Sequence, residues 1–118
     1  RLVVDGGHNI SSSYVIANWI KNQNQKVNLV VGMMKDKEHQ KFMKSFEGLV
    51  NSVTIIDIPN QDGGISKNEL KEKISNLNFK LKISDSIGDA IYSNSKDMNT
   101  IILVIGSLYL IGEVLNLN

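Results

Sequence analysis

Asp5-Gly6-Gly7-His8-Asn9 sets a carboxylate, two glycines, an imidazole and an amide directly after the apolar run Leu2-Val3-Val4. The chemistry open to such a turn is anion and ribose binding. Gly6 and Gly7 let the backbone approach a ligand closely or turn through φ > 0. A helix opening at the serines 11 to 13 presents free N–H groups and a positive dipole end to a phosphate. His8 can add a hydrogen bond or a proton-linked charge beside that anion. Asp5, held at a strand end, can accept from a ribose hydroxyl. The same residues also suit a plain structural corner, and spacing alone leaves the two readings level.

Other polar candidates are weaker singly. Asp36 and Lys37, within Gly32-Met33-Met34-Lys35-Asp36-Lys37, can steer an anionic substrate or simply start a charged helix with Asp36 as its N-cap. Ser107 lacks a Gly-x-Ser-x-Gly setting, so a helix cap is its expected role. His39 is expected on a helix surface, and Trp19 and the Met33-Met34 pair in the core. The chain has 2 histidines and no cysteine, so no zinc set is expected. Neither a dinucleotide fingerprint nor a P-loop is present, so a triphosphate with magnesium is not held here by that route.

The elements that must position these residues follow from the hydrophobic period, which switches repeatedly. Apolar runs predict strands at Leu2–Val4, Val27–Val31, Val53–Ile58, Phe79–Ile83 and Thr100–Ile105. Helical spacing joins Val15, Ile16, Trp19 and Ile20 behind the serine caps. It also joins Phe42, Phe46 and Leu49, then Leu70, Ile74 and Leu77 behind the capping-box pair Ser66 and Glu69. Ile87, Ala90 and Ile91 mark a fourth helix, and a fifth is expected to bury Leu108, Ile111 and Leu115. Five strands alternating with five helices predict a Rossmann-like three-layer α/β/α sandwich with a mostly parallel sheet. The polar motifs then share the carboxyl edge of the sheet, where such folds bind ligands.

Composition sets the outer limits. With 118 residues, 42% apolar and 21% charged, the chain reads as one ordinary globular domain. Its 13 basic and 12 acidic residues are interspersed, which argues against a nucleic-acid footprint. No apolar run reaches membrane-spanning length, and a cytoplasmic setting is expected. Because the chain opens at Arg1 inside a strand, it is expected to be a fragment of a longer protein.

Three motifs in order, DGGHN, GMMKDKE and GSLYLIGEVL, resemble the C-terminal domain of folylpolyglutamate synthase/dihydrofolate synthase, in the Mur ligase superfamily. The resemblance covers essentially the whole chain. It implies that residues 1–118 are the C-terminal domain of an ATP-dependent ligase that adds L-glutamate to dihydropteroate or folate through an acyl phosphate. ATP and Mg2+ would be held mainly by a P-loop domain preceding this one in the same chain. By resemblance, Asp5 is the acid contacting ATP, His8 lies beside the phosphates, and Gly6, Gly7 and Asn9 complete that turn. Asp36, Lys37 and Ser107 match cleft positions serving domain closure or the amino-acid substrate. Ile10 stands where the family usually has proline, the run 60–66 carries no basic residue where relatives carry arginine, and Gly7 for alanine is expected to cost little. A peptidoglycan-precursor ligase domain and a non-catalytic nucleotide-binding or docking module are the alternatives.

Overall fold

The computed structural model describes residues 1–117. Strands β1 (Leu2–Val4), β2 (Lys26–Val31), β3 (Ser52–Ile55), β4 (Leu81–Ile83) and β5 (Thr100–Ile105) alternate with helices α1 (Ile10–Lys21), α2 (His39–Lys44), α3 (Lys67–Lys73), α4 (Ile87–Asn94) and α5 (Leu108–Leu115). The sheet runs β1-β5-β2-β3-β4, and every pairing is parallel. The expected three-layer sandwich is present, with an all-parallel rather than mostly parallel sheet.

Strand alternation builds the two layers. Val27, Leu29 and Val31 of β2 join Ile101, Leu103 and Ile105 of β5 under α1, α2 and α3. Val30, Ile102 and Val104 take the opposite face, against Ile87 and Ala90 of α4 and Leu110 and Val114 of α5. Burial on both faces explains why these strands are almost continuously Val, Ile and Leu. Among the described residues, no helix is long and apolar enough to cross a membrane.

Several local expectations are corrected. Helix α1 starts at Ile10, so its cap is Asn9 rather than the serines 11 to 13. Val15 is 70% exposed, and Ser13, Ile16, Ala17 and Ile20 form the buried stripe. Trp19 is half-buried against the core, Met33 is fully buried, and Met34 is only half-buried. Asp36 does not cap α2, which starts at His39 after Glu38 without any side-chain cap. Phe46 and Leu49 lie in the turns beyond α2, although Phe46 still meets Phe42 edge-on at 5.4 Å. Strand β3 ends at Ile55, yet Ile56 and Ile58 remain buried on the α4–α5 side. Phe79 lies just outside β4 and packs on the core. Ser66 caps α3 by accepting from the Glu69 N–H at 3.2 Å, one arm of the expected box.

The clearest correction is α5. Leu108 is 67% exposed and Leu115 65%, while Leu110 and Val114 carry the core contact. Helix α5 has two apolar stripes, and the tight turn after β5 presents the 110/114 stripe to the sheet.

That turn depends on Gly106, whose φ of 110° lies in the region that disfavours side chains. A Cβ there would also collide with the Gly32 carbonyl and meet Met33 Cγ at 3.1 Å. Gly106→Ala is expected to lower unfolding free energy by about 2 kcal/mol or more, read as a reduced urea midpoint. Gly48→Ala, also at positive φ but in open space, is expected to cost only about 1 kcal/mol.

Candidate functional site

The opening turn is held by its own polar groups. The Asp5 N–H donates to Val104 O at 2.9 Å, extending the β1–β5 ladder by one residue. Asp5 Oδ1 accepts from the Gly7 N–H at 2.8 Å, and the Gly106 N–H donates to Gly7 O at 3.2 Å. His8 Nδ1 donates to Gly6 O at 3.2 Å, which fixes the ring and leaves Nε2 as its free nitrogen. Asn9 and Ser12 form a reciprocal capping box: Asn9 Oδ1 accepts from Ser12 N at 2.8 Å, and Ser12 Oγ accepts from Asn9 N at 3.0 Å.

The glycines make room here, Gly6 for the movable Leu108 side chain and Gly7 for the capping box. Neither Gly6 nor Gly7 has a positive φ. A Cβ on Gly6 would collide with the Leu108 side chain, and one on Gly7 would lie 2.8 Å from Ser12 Cβ. Alanine at position 7 would therefore press on the capping box, a contact that glycine avoids.

Beyond this turn the strand ends enclose a groove. Strands β5 and β2 are neighbours whose following helices leave to opposite faces of the sheet. Such a divergence opens a crevice at the carboxyl edge. A cavity of about 390 Å³ there is lined by His8, Met34, Asp36, Lys37 and the run Gly106 to Tyr109. A second, of about 410 Å³, shares His8, Asp36 and Lys37 and reaches Asn9, Ile10, Ser11 and Glu38 at the start of α1. With the capping box using Ser12 N and Asn9 O taking Ser13 N, the first-turn N–H groups of Ile10 and Ser11 remain for an outside acceptor.

The structure thus brings His8, Asn9, Asp36, Lys37 and Ser107 to one place. Lys37 is partly shielded, its side chain 29% exposed, with Nζ 4.0 Å from Asp36 Oδ1. Ser107 reaches the groove wall but is buried, and its Oγ accepts from Tyr109 N at 3.1 Å, so capping α5 is its evident work. Asp5, Gly6 and Gly7 do not line either cavity. Asp5 is exposed, with one carboxylate oxygen engaged by its own turn.

Sequence reasoning missed three contributors. Met34, Leu108 and Tyr109 form the apolar side of the groove. Their position two or three residues after the strand-end glycines Gly32 and Gly106 was the available signal. His39, expected on the surface, is 4% exposed and donates from Nε2 to Met34 O at 2.8 Å. No group of three or more His, Cys, Asp or Glu side chains is placed to hold a metal among the described residues.

Residues 1–117 match the family described as dihydrofolate synthetase, C-terminal domain. The chain belongs to this family. No curated protein matches it. The dihydrofolate synthetase C-terminal fold recurs in solved structures. E. coli FolC in complex with DHPP and ADP is 21% identical with a TM-score of 0.84, over 99% of this chain and 28% of that one. Folylpolyglutamate synthase of Mycobacterium tuberculosis, complexed with ADP and AMPPCP, is 16% identical with a TM-score of 0.86, over 98% and 29%. Bifunctional folylpolyglutamate synthase/dihydrofolate synthase of Yersinia pestis, complexed with AMPPNP and Mn ion, is 20% identical with a TM-score of 0.85, over 98% and 28%. This C-terminal domain therefore spans less than a third of the length of those chains.

The Asn9 box starts the helix that borders the groove, which makes it testable by stability. Asn9→Ala is expected to cost about 1 to 2 kcal/mol, while Asn9→Asp, which keeps the acceptor, is expected to cost well under 1 kcal/mol. Equal urea midpoints for the two variants would contradict the capping assignment.

Proposed function

We propose that this domain closes over the nucleotide in an ATP-dependent ligase that joins L-glutamate to dihydropteroate or folate. A P-loop domain earlier in the same polypeptide would hold most of the triphosphate and the magnesium. The observation that carries this reading is the convergence of His8, Lys37 and the α1 N-terminus on connected cavities at the carboxyl edge. An ammonium, a ring nitrogen and free backbone N–H groups together suit a phosphate oxyanion.

The reaction under this proposal has two displacements. A folate or pteroate carboxylate oxygen attacks the γ-phosphorus and ADP leaves, giving an acyl phosphate. The glutamate amine then attacks the acyl carbon, loses a proton, and inorganic phosphate leaves. Negative charge shifts onto the transferred phosphate and leaving ADP in the first step and onto the acyl oxygen in the second. Lys37 and the α1 N–H groups supply fixed positive charge for that phosphate, in a crevice narrowed by Met34 and Tyr109. His8, its Nδ1 committed to Gly6, offers Nε2 to the same anion. Asp5 sets the turn and keeps one carboxylate oxygen for the ribose. Asp36, beside Lys37 on the groove wall, and Ser107, through the α5 cap, would serve domain closure.

The full-length enzyme tests this. Lys37→Ala and His8→Ala are each expected to lower kcat/KM for ATP by about 10- to 100-fold, with Tm nearly unchanged. Asp5→Ala should weaken ATP use more than Asp5→Asn, which preserves an acceptor for Gly7 N. Unchanged KM and turnover in all of these variants would sink the assignment and leave a docking module. The isolated 118-residue chain is expected to fold without hydrolysing ATP; turnover by this piece alone would contradict the division of labour.

A further inference from the structure

We infer that His39 is the positioning residue for Lys37, and that its imidazole sets the reach of that ammonium into the groove. This rests on the reading that Lys37 acts on the nucleotide. The ring is buried, and its Nε2 donates to Met34 O at 2.8 Å. The His39 backbone N–H donates to Lys37 O at 3.1 Å. One residue therefore clips both ends of the four-residue segment 34–37 that carries Asp36 and Lys37.

The other ties on that segment are backbone bonds to the loop after Pro59, and they reach only its upstream end at Met33 to Lys35. Glu38 gives α2 no side-chain cap, so the loop is not fixed from the helix start. Asp36 Oδ1 lies 4.0 Å from Lys37 Nζ, an exposed contact worth little in fixing geometry. Lys35 N donates to Gly63 O at 2.7 Å, which anchors the upstream half through the loop after Pro59. The downstream half, where Lys37 sits, is tied among the described hydrogen bonds only by the His39 backbone N–H, so the ring, by fixing Met34 O, sets where that short tether starts.

A buried ring at this place is otherwise costly. An apolar side chain would fill the same volume without desolvating two nitrogens. The carbonyl can only accept, so the Nε2–H form is the one present in this contact. Removing the donor would take away the described partner of Met34 O and loosen the start of the loop. A displacement of about 1 Å is enough to cost a positioned group most of its effect.

The test is a double-mutant cycle in the full-length enzyme, with ATP as the varied substrate and Tm read in parallel. His39→Leu removes the donor at similar volume, and His39→Gln keeps an N–H near the Nε2 position. His39→Leu is expected to lower kcat/KM for ATP by about tenfold or more, and His39→Gln by no more than about threefold. In a Lys37→Ala background, His39→Leu should cause no further loss, because the group it positions is gone. If His39→Leu does not fold, His39→Asn, polar but too short to reach the Met34 carbonyl, takes its place. A loss of equal size in both backgrounds, or equal losses for Leu and Gln, would overturn the inference. Should Lys37→Ala itself leave kcat/KM unchanged, the nucleotide role of Lys37 fails and this inference falls with it. A large Lys37→Ala effect with a silent His39→Leu removes the inference alone.

Discussion

Three main-chain strand ends meet at Gly106, and the rest of the edge is arranged around that contact. Its N–H donates to Gly7 O at 3.2 Å, beyond the end of β1. Its α-carbon lies so close to the Gly32 carbonyl, beyond the end of β2, that no Cβ fits. Strand order β1-β5-β2 is what makes this possible, because β5 is flanked by both partners. Glycine at position 106 lets β5 turn sharply into α5 while the three ends stay in register. Without that close approach, the His8 turn and the Lys37 loop would be separated by a side-chain layer.

The two sides of the crevice are held by different physics. On the β1 side, short backbone and capping bonds within residues 5–12 fix the turn, and they are local in sequence. On the β2 side the loop is tied at longer range, through an antiparallel bridge between Met34 and Gly64 and the Ile65 N to Met33 O bond at 2.9 Å. The loop after Pro59, which carries no basic residue, thus contributes backbone support for the Met34–Lys37 segment. Its positive-φ residue is Asn60, a type that tolerates that conformation.

Legibility in the sequence followed the range of the determining interaction. Strands β2 and β5 were plain because two-sided burial makes a strand apolar at nearly every position, as in Ile101 to Ile105. The carboxyl-edge clustering of His8, Asp36, Lys37 and Ser107 followed from alternation alone, since a parallel sheet sends every strand end the same way. Helix α5 was misread because Leu108, Ile111 and Leu115 share a helical stripe as regular as that of Leu110 and Val114. Only the exit angle at Gly106 chooses between them. Asp36 looked like a cap because acid-lysine pairs often start helices, yet α2 waits until His39. The burial of His39 was invisible for another reason: its acceptor, the Met34 carbonyl, is a backbone group that carries no compositional signal.

The glycine junction has a consequence for how such a site can change. Gly106 gives the crevice only peptide atoms, so that part of its base offers nothing for ordinary substitution to remodel. Variation in what the crevice accepts must enter from its rim, through Met34, Lys37, Leu108 and Tyr109, which project over that base from separate loops. Such an edge can be tuned in hydrophobicity and charge while its depth stays constant.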